Sequence, residues 1–204
     1  MGPHRYTAIL LLGPTGSGKS PLGDLLEQDG VAGRRCAHFD FGALLRGVDE
    51  GRVKARLSEP QRSVVHEALT GNALLEDEHF PIARAIFDAF VRSKQVSFGD
   101  IILCNGLPRH IGQAQAAELF LNIIACIELR CTPAVVRERI RKNSGGDRGA
   151  RKDDSLEEIE RKLEIYSSRT EKLIDFYRER GSEVLPVEGT EEMGAAQMVA
   201  GVEP

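Results

Sequence analysis

Gly13-Pro-Thr-Gly-Ser-Gly-Lys-Ser20 is the stretch on which the fold turns, because it matches the phosphate-cradling pattern G-x-x-x-x-G-K-[ST] in full. Its surroundings strengthen the match. Upstream, Tyr6-Thr-Ala-Ile-Leu-Leu-Leu12 is an apolar run of buried-strand length, and downstream Leu22, Leu25 and Leu26 recur at helical spacing from just after Pro21. Strand, glycine loop and helix in that order gather backbone N–H groups, the positive end of a helix dipole and the Lys19 ammonium around one point, the environment a nucleotide's phosphate chain needs. Gly13, Thr15, Gly16, Ser17, Gly18 and Lys19 are therefore the expected phosphate-binding residues, and Ser20 the hydroxyl expected to meet Mg²⁺. Such a loop binds a phosphate chain without deciding its fate. Motor ATPases, GTPases, small-molecule kinases and a tRNA-prenylating transferase all carry similar ones.

Working outward, Arg35-Cys-Ala-His-Phe39 reads as a strand running into Asp40-Phe-Gly42, with a helix opening at Ala43-Leu-Leu-Arg46. From there to about Ser93 the pattern is helical, broken near Gly51 and Gly71. Val64, Val65 and Leu69 mark one apolar face, and Ile82, Ala85, Ile86 and Phe90 a later one. Glu76-Asp-Glu78 puts negative charge at a helix start, and Pro81 falls in the first turn, where it is tolerated. Asp100-Ile-Ile-Leu-Cys104 and Ile123-Ile-Ala-Cys-Ile-Glu-Leu-Arg130 are two more buried-type strands, the second followed by a helix from Pro133 with Val136 and Ile140 facing inward. Asn143-Ser-Gly-Gly-Asp-Arg-Gly-Ala-Arg151 is glycine-rich, polar and basic, a surface loop. A single long helix is expected from about Ser155 to Arg180, with Ser155 and Glu158 as a capping box and Gly181 as its stop. Its stripe would be Leu156, Ile159, Leu163, Tyr166, Leu173 and Tyr177. Glu183-Val-Leu-Pro-Val187 reads as a last strand before a short terminal helix. Strands alternating with helices argue for an open α/β parallel sheet with ligands at the carboxyl ends of its strands.

Composition narrows the function classes. With 27 Lys and Arg against 31 Asp and Glu the net charge is −4, so a protein that coats nucleic acid is disfavoured and any basic site must be local. At 204 residues, 41 % hydrophobic and 28 % charged, the chain suits one globular domain, and no apolar run reaches membrane-spanning length. Nothing in the opening residues resembles a signal peptide, which makes the cytoplasm the expected compartment. Cys36, Cys104, Cys126 and Cys131 show no zinc spacing and read as reduced thiols, the first three in or beside strands.

Four separated stretches resemble those of the nucleoside monophosphate kinases of the adenylate kinase family, short-lid type, over about residues 8–190. They are the glycine loop; Phe41-Gly42 with Leu44-Leu45-Arg46, resembling T-G-D-[ML]-[LI]-R; Asn105-Gly-Leu-Pro-Arg109 with Gln113, resembling D-G-F-P-R-x-x-x-Q; and Arg151-Lys-Asp-Asp154, resembling R-x-D-D. The resemblance implies a P-loop kinase fold with about five parallel strands. It also implies a single domain over 1–204, with a core of 5–40, 98–142 and 154–204, a helical acceptor-binding insertion at about 41–97 and a short lid at about 143–153. The activity implied is Mg²⁺-dependent transfer of a phosphoryl group from ATP to a nucleoside monophosphate, AMP being the best single choice. The partners implied are those two nucleotides, without nucleic acid or membrane, in a monomer.

Residue by residue, the resemblance puts Lys19, Arg109, Arg139 and Arg151 in the catalytic set, with Arg139 also near the donor phosphates. Phe41, Gly42, Arg46, Leu75, Gly106, Arg109, Gln113, Arg151 and Lys162 would surround the acceptor, with Gln113 reading its base edge. Asp153 and Asp154 would orient the lid arginines, and Asn105 would hold Mg²⁺ through water.

The departures from that pattern cluster on the acceptor and magnesium sides. Ser20 and Pro21 stand where the family has Gly-Thr, Asn105 where it has an aspartate, Phe41 where it has a threonine or alanine, Ala43 where it has an aspartate, and Lys162 where it has an arginine. The arginine expected shortly after Arg139 is Asn143, with Arg148 nearby. Two other readings therefore stand beside the first: a P-loop kinase for another small-molecule acceptor, and a nucleotide-binding sensor or assembly protein with weakened catalysis.

Overall fold

β1, Tyr6–Leu12, is buried along most of its length, and its side chains alternate between two cores. Ala8, Leu10 and Leu12 enter the larger core, while Ile9 and Leu11 enter the smaller one on the opposite face. A strand covered on both faces has no polar side to show, which is why its sequence is an unbroken apolar run. The structure, a computed structural model, describes residues 4–71, 74–147 and 155–201.

The remaining strands are β2 (Cys36–Asp40), β3 (Ile101–Asn105), β4 (Leu121–Arg130) and β5 (Glu183–Glu188). They form one sheet in the order β2-β3-β1-β4-β5, and every pairing is parallel. The chain leaves β1 toward β2 and β3 on one side and only then crosses to β4 and β5 on the other. That reversal opens a crevice at the carboxyl ends of the strands beside β1. The α/β fold read from the sequence, a five-stranded parallel sheet wrapped by helices, is the one observed.

Helices α1 (Lys19–Asp29), α2 (Phe41–Asp49), α3 (Glu59–Thr70), α4 (Phe80–Lys94), α5 (Ile111–Ala117) and α6 (Pro133–Lys142) follow in chain order. Beyond them lie α7 (Leu156–Ile165), α8 (Lys172–Arg178) and α9 (Ala195–Ala200). Leu22 and Leu26 of α1 meet Met198 of α9 in the smaller core, while α2, α3, α4, α5 and α8 close over the larger one. There Phe39 packs edge-on against Phe87 and Phe90, at centroid distances of 5.5 and 5.1 Å, which ties α4 to β2.

The single helix expected from Ser155 to Arg180 is interrupted. Between α7 and α8, residues Tyr166–Thr170 form a π-helical turn in which the Glu171 N–H donates to the Tyr166 carbonyl, five residues back, at 2.9 Å. The side chains supply the reason. The Ser168 hydroxyl donates to the Glu164 carbonyl at 2.7 Å and the Ser167 hydroxyl to the same oxygen at 3.1 Å, loosening the regular ladder. Meanwhile the buried Thr170 hydroxyl donates to the Arg109 carbonyl at 2.8 Å. The capping box at Ser155 forms as expected, and Ile159, Leu173 and Tyr177 are buried, but Leu156 at the helix tip stays exposed. All four cysteines are free thiols; burial pushes Cys126 up to about 12 and raises Cys104 further.

Candidate functional site

The glycine loop leaves the end of β1 and turns into α1 at Lys19, two residues before Pro21, which sits inside the first turn without disturbing it. Two glycines are required by geometry. Gly13 has φ 149°, and a Cβ there would lie 2.7 Å from the Leu129 carbonyl oxygen. Gly18, the N-cap, has φ 104°, and a Cβ there would meet the Met198 methyl at 2.6 Å. Between them Ser17 is fully buried, its N–H donating to the Pro14 carbonyl. Lys19 folds back over the loop, its Nζ donating to the Gly13 and Pro14 carbonyls at 2.8 and 2.7 Å. An ammonium held on backbone carbonyls can exchange them for phosphate oxygens, which bind it more strongly.

Arg139 braces this loop from behind. Only 2 % exposed, it donates through Nε to the Gly16 carbonyl at 3.0 Å, and through one guanidinium nitrogen to the Thr190 and Met193 carbonyls at 2.6 and 2.9 Å. Its other terminal nitrogen is the part nearest Gly18. The structure thus gives Arg139 a fixed job, clamping the loop to the segment between β5 and α9. Asn143 ends α6 in the left-handed conformation, a helix cap where the family has an arginine.

At the mouth of β2 and β3 lies a polar cluster that joins three elements. The Ser20 hydroxyl donates to Asp40 Oδ2 at 2.7 Å, and Asn105 Nδ2 reaches the same oxygen at 3.0 Å and Ser20 Oγ at 3.1 Å. The Asn105 amide nitrogen also stands 3.4 Å from His38 Nε2, while His38 Nδ1 is 2.8 Å from Asp24 Oδ1. The partners assign the orientations. An amide nitrogen, not its oxygen, faces a carboxylate, and His38 carries its proton on Nδ1 toward Asp24. Asp40 Oδ1 is occupied separately, accepting the Ala43 N–H at 2.8 Å to cap α2. Asp40, His38 and Asp24 had no place in the sequence reading. An aspartate just before a helix looks like a cap and nothing more.

Part of the expected acceptor set, Phe41, Gly42, Arg46 and Gly106, comes together next to this cluster. Gly106, at φ 84°, abuts the start of α2: a Cβ on it would lie 3.8 Å from both the Gly42 nitrogen and the Phe41 Cβ. The Arg46 guanidinium lies beside Gly42. Neither Arg46 nor Arg109 has a hydrogen-bond or ion-pair partner for its guanidinium among the described residues. Burial holds Arg109 below the ordinary arginine range. Most other arginines are paired, as Arg35 is with Asp100 and Arg169 with Glu76. A partly buried cation without a counterion is a place built to receive an anion.

Three expected acceptor residues have structural roles in this arrangement. Phe41 is buried against Phe39 in the larger core. Leu75 is 4 % exposed, and its carbonyl is the shared acceptor for Gln113 Nε2 at 2.7 Å and His110 Nε2 at 3.3 Å. Gln113 also accepts the Arg109 N–H at 2.8 Å, so both ends of its amide are engaged in holding Leu75 to the Arg109 turn. Lys162 lies on α7, partly buried. Arg151, Asp153 and Asp154, with Arg148, lie outside the described residues.

A second space, of ≈ 320 Å³, opens at the ends of β4 and β5 beside Pro14, but Glu128, Glu171 and Glu188 line it with only Arg130 to offset them. That lining repels phosphate, which leaves the Arg46 and Arg109 side as the electropositive one. Among the described residues no three His, Cys, Asp or Glu side chains are grouped to hold a metal, and no helix is long and apolar enough to cross a membrane.

Sheet order, glycine loop and the crevice beside β1 define the P-loop kinase fold. Within that class the chain resembles enzymes named adenylate kinase. It is 28% identical over 178 residues to that of Xanthomonas campestris pv. campestris (strain B100), covering 85% of this chain and 86% of the other. The adenylate kinase of Stenotrophomonas maltophilia (strain K279a) is 28% identical over 179 residues, 85% and 87% of the two chains. That of Bacteroides thetaiotaomicron is 28% identical over 176 residues, 83% and 84%. No protein-family model matches the chain. Together these support a divergent relative of the adenylate kinases and, in general terms, a nucleotide-binding phosphotransferase.

Proposed function

We propose that this protein transfers the γ-phosphoryl group of Mg²⁺-bound ATP to a nucleoside monophosphate, with AMP as the best single acceptor. The observation that carries the reading is the part-buried Arg109 guanidinium, without a counterion among the described residues, in a chain whose phosphate loop is intact at the end of β1. Phosphate on the acceptor would supply the missing charge, and Arg46 next to Gly42 would grip it from the α2 side. Backbone N–H groups of the loop would hold the donor's phosphates while Lys19 leaves the Gly13 and Pro14 carbonyls to join them. Phosphoryl transfer asks mainly for alignment and charge compensation, and these groups provide both. Ser20 would hold Mg²⁺, which when bound neutralises charge on the phosphate oxygens. The chain is read as one domain in which α2 to α4 form the acceptor-binding insertion and residues 143–153 the lid. Arg151 would belong to that lid, with Asp153 and Asp154 orienting its arginines; closing it would keep water from the transferred group.

The test is ADP formation from Mg·ATP with AMP, GMP, CMP, UMP or dTMP in separate reactions, with Lys19→Ala alongside. Acceptor-dependent ADP with one of them, lost in the variant, is the expected result. ATP binding without turnover on any acceptor would overturn the assignment. It would favour the second reading that the engaged Gln113 amide supports, an acceptor whose base is not read there because it has none.

A further inference from the structure

We infer that Asp40, at the carboxyl end of β2, is the carboxylate that holds the Mg²⁺ of the nucleotide complex together with Ser20, the task having moved one strand over from Asn105 at the end of β3. The inference rests on the reading of the glycine loop as an ATP site and goes further by naming the metal's protein ligands. Three observations carry it.

The Ser20 hydroxyl gives its proton to Asp40 Oδ2 at 2.7 Å. With that proton committed to a carboxylate and one lone pair accepting the Asn105 amide N–H at 3.1 Å, Ser20 Oγ has its other lone pair left, which is what a hard cation takes. Asp40 Oδ2 itself adds a full negative charge within reach of that oxygen. One carboxylate, one hydroxyl, water and substrate phosphates make the usual partial shell for Mg²⁺, which explains why no closed metal cage is needed among the described residues.

Asn105 cannot hold the cation in this arrangement. Its amide nitrogen faces both Asp40 Oδ2 at 3.0 Å and Ser20 Oγ at 3.1 Å, and a donor N–H repels a metal. The amide is fixed in that sense from the other side as well, because it stands 3.4 Å from His38 Nε2, and His38 is held by Asp24 at 2.8 Å. Asn105 is thus a positioning residue that aims the Asp40 carboxylate at Ser20.

The two positions are also coupled by charge. An aspartate at 105 would set two carboxylates about 3 Å apart, which repel each other in the metal-free protein. With Asp40 present, an amide at 105 is the compatible partner. The asparagine that looks like lost chemistry is accounted for by the charge next door.

The experiment measures binding of a non-hydrolysable ATP analogue by calorimetry, in Mg²⁺ and in EDTA, using the full chain. Asn is the right replacement for Asp40 because it keeps the cap on α2. For the unsubstituted protein Mg²⁺ should tighten binding at least tenfold. Asp40→Asn should lose most of that tightening while its affinity in EDTA stays within about twofold, which also shows that the variant is folded. Asn105→Ala should keep a larger share of the metal effect than Asp40→Asn. The double exchange Asp40→Asn with Asn105→Asp, which returns the carboxylate to β3, should regain part of it. Full Mg²⁺ tightening in Asp40→Asn overturns the proposal, as does its absence in the unsubstituted protein. Failure of the kinase reading is seen separately: metal-dependent binding that needs Asp40, with no turnover on any nucleoside monophosphate, would leave this site standing and remove that function.

Discussion

Arg109 sits in a turn fixed from two directions, by Gln113 on its N–H and Thr170 on its carbonyl, so the backbone that carries its guanidinium is set before any ligand arrives. Such preorganisation makes a charged group effective in a transition state, since little reorganisation is left to do. Arg109→Ala should lower kcat by about 10²- to 10³-fold, the scale for losing one preorganised donor, with an unchanged melting temperature or a raised one. Arg109→Lys should recover only part of it, because an ammonium lacks the planar fork. Steady-state kinetics and a thermal melt decide this, and wild-type turnover in the alanine variant would remove Arg109 from the site. Tyr177 poses the opposite case: its hydroxyl is buried with no hydrogen-bond partner among the described residues. A stranded polar group costs about 1–3 kcal/mol where a matched apolar one costs nothing. Tyr177→Phe should therefore be neutral or stabilising by roughly 1 kcal/mol in denaturant unfolding, and a clear loss of stability would show that the hydroxyl has a role.

Among the elements, the π turn at Tyr166–Thr170 links the sheet side of the molecule to the acceptor side. It aims Thr170 at Arg109 and sends Arg169 to Glu76 as a two-pronged ion pair, 2.7 and 2.8 Å, across 93 residues of chain. The Arg169 hydrogen bonds hold the Glu76 carboxyl below the ordinary range. The pair is partly exposed, so its worth to global stability is small. Its expected effect is local: Glu76→Gln should raise KM for the acceptor more than it lowers kcat, because it frees the segment that carries Leu75. Equal KM values would disprove the link. The turn before β3 shows how pH acts on an element. Asp100 is held below its usual pKa, first by the Ser97 N–H at 2.8 Å and also by Arg35 at 2.8 Å. A depressed folded value means that its contribution is full above the unfolded value of about 3.9 and is lost as pH falls through the folded one. Asp100→Asn should therefore flatten the acid limb of a stability-versus-pH curve, and identical limbs would refute the assignment. Both features mark the limits of reading from sequence. The five strands were legible to within about two residues, because β1 and its neighbours are apolar on both faces, and the glycine loop declared itself. The π turn was not, because one extra residue in a helix hardly disturbs an apolar stripe, and only the contacts of Ser167, Ser168 and Thr170 reveal it. Asp40 was hidden for a related reason: sequence places it only between a strand and a helix, while its second oxygen meets Ser20 and Asn105 once three elements converge.

Across the whole molecule the charge balance is −4, yet the proposed ligands are polyanions, so binding depends on where particular cations sit and not on net charge. Lys19 stands at the mouth of β1, while Arg46 lies beside Gly42 and Arg109 follows Gly106 in the chain, and the proposed function makes the first a donor half and the second an acceptor half. If both halves take nucleotides at once, a compound joining ATP and AMP through a single polyphosphate chain should bind far more tightly than either alone. Once one end is seated, the other is present at an effective concentration in the millimolar range. Ligand binding to the folded state raises the melting temperature by mass action, so the comparison can be read in a thermal melt. The linked compound should raise it well beyond ATP plus AMP at equal concentration. Lys19→Ala should cut the shift to about that of AMP alone, and Arg109→Ala to about that of ATP alone. A shift no greater than that of ATP, unchanged by Arg109→Ala, would mean that the acceptor half does not receive a nucleotide. The arginines would then have to serve a smaller anion.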